Sequence, residues 1–298
     1  MSTVSEAPQG LAAVLALLRP RHWVKNLFVL AGILFGHDWF DARLWQQVVL
    51  LFFGFSFTAS AVYAFNDIAD RARDRNHPRK RLRPVASGAL SVRQAGMIGV
   101  ASLALGLLLS WWASPQALAL VVIYLFINLA YSGGLKHVVI LDVFIIAIGF
   151  MLRILAGTIG IGIPASQWLL VCGFMLTLFL GFAKRQAELM ALGEGQDHRQ
   201  VLEEYTPQLL DLMLGVTAAA TIMAYSLYTL SPQTVQAHGT SALIYTVPFV
   251  AYGIFRHLYL LHRRGRGDDP ALDLLRDPQM LLTVLAWLLV TLWLIAAP

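Results

Sequence analysis

Along the chain, apolar runs about twenty residues long alternate with short stretches that hold nearly all of the charge. Runs at 23–37, 44–65, 95–112, 117–132, 138–159, 167–184, 208–230, 242–261 and 279–296 each approach the roughly 20 residues that a helix needs to cross a hydrocarbon core. They predict an all-α, polytopic membrane protein of about nine transmembrane helices, forming one bundle around a polar cavity that faces the cytoplasm. The first run is the least regular, because Lys25 and Asn26 interrupt it. Gly and Pro gather at run ends, as in Ser132-Gly133-Gly134 and Ser231-Pro232, where they close helices. No linker or repeat divides the pattern, so a single domain is expected over 1–298. It would carry an interfacial N-terminal segment over 1–22 and two cytoplasmic site loops, 66–93 and 184–207.

Charge then orients the runs. With nine crossings, 19 of the 22 Lys and Arg fall on one side, while Arg43 lies on the other and Arg153 and Arg256 fall within runs. The positive-inside rule makes the basic side cytoplasmic and puts the C-terminus outside, as expected for the inner (cytoplasmic) membrane. A composition 58% hydrophobic and 13% charged argues against a soluble domain. The net charge of +5 lies between apolar runs, so no nucleic-acid partner is expected. Cys172 is the single cysteine and sits in an apolar run, which suits a buried core residue. Leu11 to Leu18 is too short, and too poorly flanked, for a secretory signal; it predicts a retained interfacial helix.

The chemistry concentrates where the second run ends, in Asn66-Asp67-Ile68-Ala69-Asp70-Arg71-Ala72-Arg73-Asp74. On a helix Asn66, Asp70 and Asp74 share one face, successive turns about 6 Å apart, and Asp67 points elsewhere. An amide and two carboxylates so arranged suit Mg²⁺, which keeps other positions for water and substrate phosphates. The basic stretch Arg75 to Arg83 follows and could hold phosphates directly. A second cluster lies on the same expected side: Lys184-Arg185-Gln186-Ala187-Glu188-Leu189, then His198-Arg199-Gln200-Val201-Leu202-Glu203-Glu204-Tyr205. It reads either as a salt-bridged loop helix or as a second anion-binding surface facing the first. Arg153, inside the fifth run, must face the protein interior or snorkel. Asp142 lies too far along the same helix to pair with it, and is expected either to brace Lys136 or to join the site.

Nine runs with N-D-x-x-D-x-x-x-D after the second resemble the UbiA-type intramembrane prenyltransferase superfamily, in which this motif binds a Mg²⁺–diphosphate complex. Members that prenylate aromatic rings have a second motif, D-x-x-x-D, after the sixth segment; here Lys184-Arg185-x-x-Glu188 stands instead. With Arg19-Pro20-x-His22-Trp23-x-Lys25-Asn26 and His198-Arg199-x-Val201-Leu202-x-x-Tyr205, it is similar to the branch of polyprenyl-phosphate phosphoribosyltransferases. That resemblance implies transfer of 5-phosphoribose from phosphoribosyl diphosphate to a decaprenyl-like phosphate, releasing diphosphate, towards a lipid-linked arabinose donor for cell-wall synthesis. It implies Mg²⁺ held by Asn66, Asp70 and Asp74, with Asp70, Asp74, Lys25, Lys184 and Arg185 as catalytic candidates. Lys25, Arg83, Tyr131, Lys136, Lys184, Arg185, Glu188, Arg199 and Tyr205 are the substrate-binding candidates. A prenyltransferase with an aromatic acceptor, and a transporter, remain the competing classes, and a homo-oligomer stays open.

Overall fold

The computed structural model describes residues 8–35, 39–77, 80–191, 200–264 and 276–296, in which helices and their connections occur and no strand does. Among the described residues, eight stretches are long and apolar enough to cross a membrane: Ala42–Ala69, Val92–Ala113, Pro115–Gly133, Leu141–Ile161, Gln167–Met190, Pro207–Leu230, Ala242–Arg263 and Pro278–Ala296. They match the second to ninth expected runs, and the chain is a multi-pass membrane protein. The contacts group the chain into two compact units, one of residues 1–34, 38–133 and 152–163, the other of 35–37, 134–151 and 164–298.

In the first unit, α1 (Gly10–Leu18) ends at Arg19, whose φ of 54° stops the helix, and Pro20 opens a 3₁₀ run to Leu30 that continues into α2 (Ala31–Phe35). The segment expected at 23–37 is therefore not a regular α-helix. Its inward positions recur every third residue, with Asn26, Val29 and Gly32 buried, which a 3₁₀ helix stacks on one side and an α-helix does not. This face lies along α3 (Ala42–Ala69) and runs antiparallel to it. Arg19 bonds Asp67, Trp23 bonds Ser60, and Asn26 bonds Ser56, each step moving toward the start of α3. Gly32 and Gly157 permit the closest approach: a Cβ on Gly32 would lie 1.8 Å from the Gly157 carbonyl oxygen, and one on Gly157 lies 1.9 Å from that of Val29. After α3 come the short helices α4 (Arg71–Arg75) and α5 (Pro84–Ser87). Then follow α6 (Val92–Ala113), opened by a Ser91–Gln94 capping box, and α7 (Pro115–Gly133).

α8 (Leu141–Ala156) divides between the units, its last turns belonging to the first. There Arg153 faces inward, as expected: its Nε donates to Asn26 Oδ1 at 2.7 Å, its Nη2 to the Tyr124 hydroxyl at 3.1 Å, and it lies over the Tyr124 ring.

The second unit holds the start of α8, α9 (Gln167–Met190), α10 (Pro207–Leu230), α11 (Pro232–His238), α12 (Val247–Arg264) and α13 (Pro278–Ala296). Its core joins Val143 and Ala147 of α8 to Phe179, Phe182 and Ala183 of α9, Leu210 and Leu214 of α10, and Leu261 of α12. Helix α9 runs six residues past the end expected at 184, so Lys184, Arg185 and Glu188 stand on its last turns rather than in a separate loop helix.

Candidate active site

The acidic motif straddles the end of α3. Helix α3 stops at Ala69 and α4 begins at Arg71, yet the Asp70 N–H still donates to the Asn66 carbonyl and the Asp74 N–H to that of Asp70, both at 2.8 Å. The i, i+4 relation among Asn66, Asp70 and Asp74 is thus kept through the break. The side chains of Asn66 and Asp70 make no hydrogen bond among the described residues, whereas Asp74 is buried and accepts from Arg83 Nη1 at 2.7 Å.

Asp67, left out of the expected ligand face, is 1% exposed. Its Oδ1 accepts from Arg19 Nη2 at 2.7 Å and from Arg83 Nη1 at 3.3 Å, while its Oδ2, also buried, has no partner among the described residues. Asp67, Arg19, His22 and Arg83 line an open cavity of about 360 Å³ under α1, with Ala16, Leu82 and Pro84 as its apolar wall. Arg83, expected to bind substrate, also bridges Asp67 and Asp74 and so holds the motif together.

These groups fit a hard divalent cation. The donors are all oxygens, two of the side chains and one buried carboxylate oxygen are uncommitted, and Mg²⁺ needs only one or two protein carboxylates beside phosphate oxygens. Among the described residues no three His, Cys, Asp or Glu side chains already stand together as a cage. Lys25 and Tyr131 are half-buried in the same unit, on the 3₁₀ run and at the end of α7.

In the second unit Lys184 and Arg185 both pair with Glu188, the salt bridges of the first alternative, though on α9 itself and not on a separate loop helix. Arg185 is fully buried. Its Nε donates to Asp142 Oδ2 at 2.6 Å and its Nη1 to Glu188 Oε2. Asp142, also fully buried, accepts from the Tyr205 hydroxyl through Oδ1 at 2.8 Å, and that hydroxyl in turn accepts the Ile140 N–H at 2.7 Å. Asp142 therefore braces Arg185 and Tyr205 rather than Lys136, because α9 brings a guanidinium against it and the chain after α9 returns Tyr205 to the same carboxylate. Burial first, then the hydrogen bond to Asp142, pushes the Tyr205 phenol well above its ordinary value of 10.0, so it remains a hydrogen-bond donor. Lys184 is about one-third exposed and lies 3.9 Å from Glu188. Lys136 sits half-buried in the 3₁₀ turn Leu135–His137, which packs on the turn Gln200–Glu204, and its ammonium makes no ion pair or hydrogen bond among the described residues. Arg199 lies outside the described residues.

Residues 26–282 match the UbiA prenyltransferase family. The chain belongs to this family. Among relatives, it is 38% identical to the decaprenyl-phosphate phosphoribosyltransferase of Corynebacterium glutamicum, over 95% of this chain and 86% of that one. It is 34% identical to the enzyme of the same name from Mycobacterium tuberculosis, over 96% and 95%. Among solved structures, a UbiA homolog from Archaeoglobus fulgidus bound to GPP and Mg²⁺ superposes with a TM-score of 0.70 at 20% identity, covering 96% of this chain and all of that one. At that identity the likeness is one of fold. Within this UbiA family member, sequence reasoning missed Asp67 and Arg19. Their signal was the polar stripe Ser56, Ser60 and Asp67, spaced four and seven residues apart on one face of a helix otherwise apolar.

Proposed function

We propose that this UbiA-family protein transfers 5-phosphoribose from phosphoribosyl diphosphate to a polyprenyl phosphate and releases diphosphate. The observation that carries the reading is the end of α9. Where an aromatic prenyltransferase is expected to present a second carboxylate pair, this chain has Lys184 and Arg185, and Glu188 is engaged by both. With Arg185 held by carboxylates, the partly exposed ammonium groups of Lys184 and Lys136 are the cations that suit substrates bearing several phosphates. The two phosphoribosyltransferase relatives, matched over nearly their whole length, support the same choice.

In this reading Asn66, Asp70 and Asp74 hold Mg²⁺, with the uncommitted Asp67 Oδ2 as a further oxygen donor. When bound, the ion neutralises charge on the diphosphate. Lys136 and Lys184 are the ammonium groups that orient phosphates, with Lys25, Tyr131 and Arg199 as further substrate contacts. Arg83 and Arg185 act through the carboxylates they hold, Arg83 with a phosphate contact as well. A phosphate oxygen of the lipid, ionised at neutral pH, attacks ribose C1 as the bond from C1 to the diphosphate oxygen breaks, so no side chain needs to remove a proton. The active site faces the cytoplasm of the inner membrane, where the basic stretches are expected.

Purified protein in detergent with Mg²⁺ and a polyprenyl phosphate tests the donor. Label from phosphoribosyl diphosphate should move into the lipid fraction; label that moves instead from a prenyl diphosphate onto an aromatic acceptor overturns the reading.

A further inference from the structure

Ile140, just before α8, has a φ of 69°. A β-branched residue avoids this left-handed region because its Cβ crowds the backbone, and it remains there only where its surroundings over-determine it. Here the Tyr205 hydroxyl takes the Ile140 N–H at 2.7 Å and anchors itself on Asp142 at 2.8 Å, while Arg185 fixes the far side of that carboxylate. All three anchoring side chains are buried. Lys136 stands four residues before Ile140, and no side-chain bond of its own holds it among the described residues. Its place is set by the backbone that carries it.

We propose that Tyr205 is a positioning residue for the transfer reaction: by clasping Ile140 in its left-handed conformation it fixes the backbone over 135–141 and so aims Lys136 at a substrate phosphate. The inference rests on the proposed role of Lys136, and it means that the tyrosine works without touching substrate. Glycine adopts a positive φ unaided. Substituting Ile140 by Gly should therefore make the clasp unnecessary.

Full-length protein in lipid nanodiscs is compared as wild type, Lys136→Gln, Tyr205→Phe and Tyr205→Phe/Ile140→Gly. Lys136→Gln and Tyr205→Phe should raise KM for the same substrate, the latter by about tenfold with kcat within about twofold, and the double variant should return to within about threefold of wild type. A rise in the other substrate's KM, a fall in kcat alone, wild-type kinetics in Tyr205→Phe, or failure of Ile140→Gly to rescue overturns the proposal. If Tyr205→Phe does not fold, Ile140→Pro forbids the positive φ and removes the N–H; it should give the same KM rise, and wild-type kinetics there overturn the clasp. Amide exchange over 135–141 separates this idea from the proposed function. Faster exchange in Tyr205→Phe supports the clasp even if the wild type transfers no phosphoribose, and unchanged exchange ends it.

Discussion

Asp70 and Asp74 stand one turn apart on the same motif, yet one side chain is uncommitted and the other is locked to Arg83. Asp70→Asn should therefore cut transfer by at least about a hundredfold, through lost metal–diphosphate binding, while the melting temperature stays near that of the wild type. Rates measured across a Mg²⁺ titration check this, and near-wild-type activity at limiting Mg²⁺ contradicts it. The two neighbouring cations of α9 divide in the same way, Lys184 partly exposed and Arg185 buried against Asp142. Lys184→Gln should raise donor KM roughly tenfold with stability unchanged. Arg185→Gln leaves Asp142 buried without its guanidinium and should cost about 3–5 kcal/mol, read as a large fall in melting temperature. The residue types of both clusters were legible in the sequence, because N-D-x-x-D-x-x-x-D and Lys184-Arg185-x-x-Glu188 are local patterns. Their partners were not: Arg19 with Asp67 and Tyr205 with Asp142 are 48 and 63 residues apart, and only packing brings them together. The raised phenol of Tyr205 adds a pH expectation. A group that holds its proton more tightly when folded stabilises the fold fully below its ordinary pKa of 10.0 and loses that contribution as pH rises beyond it. Melting temperature should thus fall above about pH 10, less steeply in Tyr205→Phe.

Eight of the nine expected runs appear as long apolar helices, since a twenty-residue apolar stretch leaves the backbone no other way to satisfy its hydrogen bonds in lipid. The first run departs from that form because its inward positions repeat every three residues. A 3₁₀ helix rises about 2 Å per residue against 1.5 Å for an α-helix, so Pro20–Leu30 with α2 extends about 30 Å, the depth of a bilayer core. Its stepwise bonds from Asp67 toward the start of α3 fit a full crossing. In a Cys172→Ala background, a cysteine at Gln9 should label in intact cells only with a permeant reagent, and one at the exposed Phe40 with an impermeant one. Labelling of both by the same impermeant reagent contradicts a crossing. The crossing also depends on Gly157, where a methyl group meets the Val29 carbonyl. Gly157→Ala should destabilise the fold by about 1–3 kcal/mol or more, seen in thermal unfolding.

At the scale of the whole molecule, the all-helical membrane fold and the UbiA family were readable from composition, run length and the acidic motif, since each acts locally or by simple counting. The grouping of contacts into two compact units was not, because it depends on which helices pack and the apolar runs look alike. Taken separately, the first unit holds Asn66 and Asp70, with side chains uncommitted among the described residues, and an Arg83–Asp74 pair, and the second holds Lys136 and an Arg185–Asp142 pair. The proposed reaction turns on the identity of the group transferred. The most direct measurement is the mass of the lipid after wild-type protein has been incubated with Mg²⁺, a polyprenyl phosphate and phosphoribosyl diphosphate. Phosphoribosyl transfer gives a product heavier by one phosphoribosyl group, with one diphosphate released for each lipid converted; a lipid of unchanged mass under conditions where the same preparation prenylates an aromatic acceptor overturns the proposed reaction.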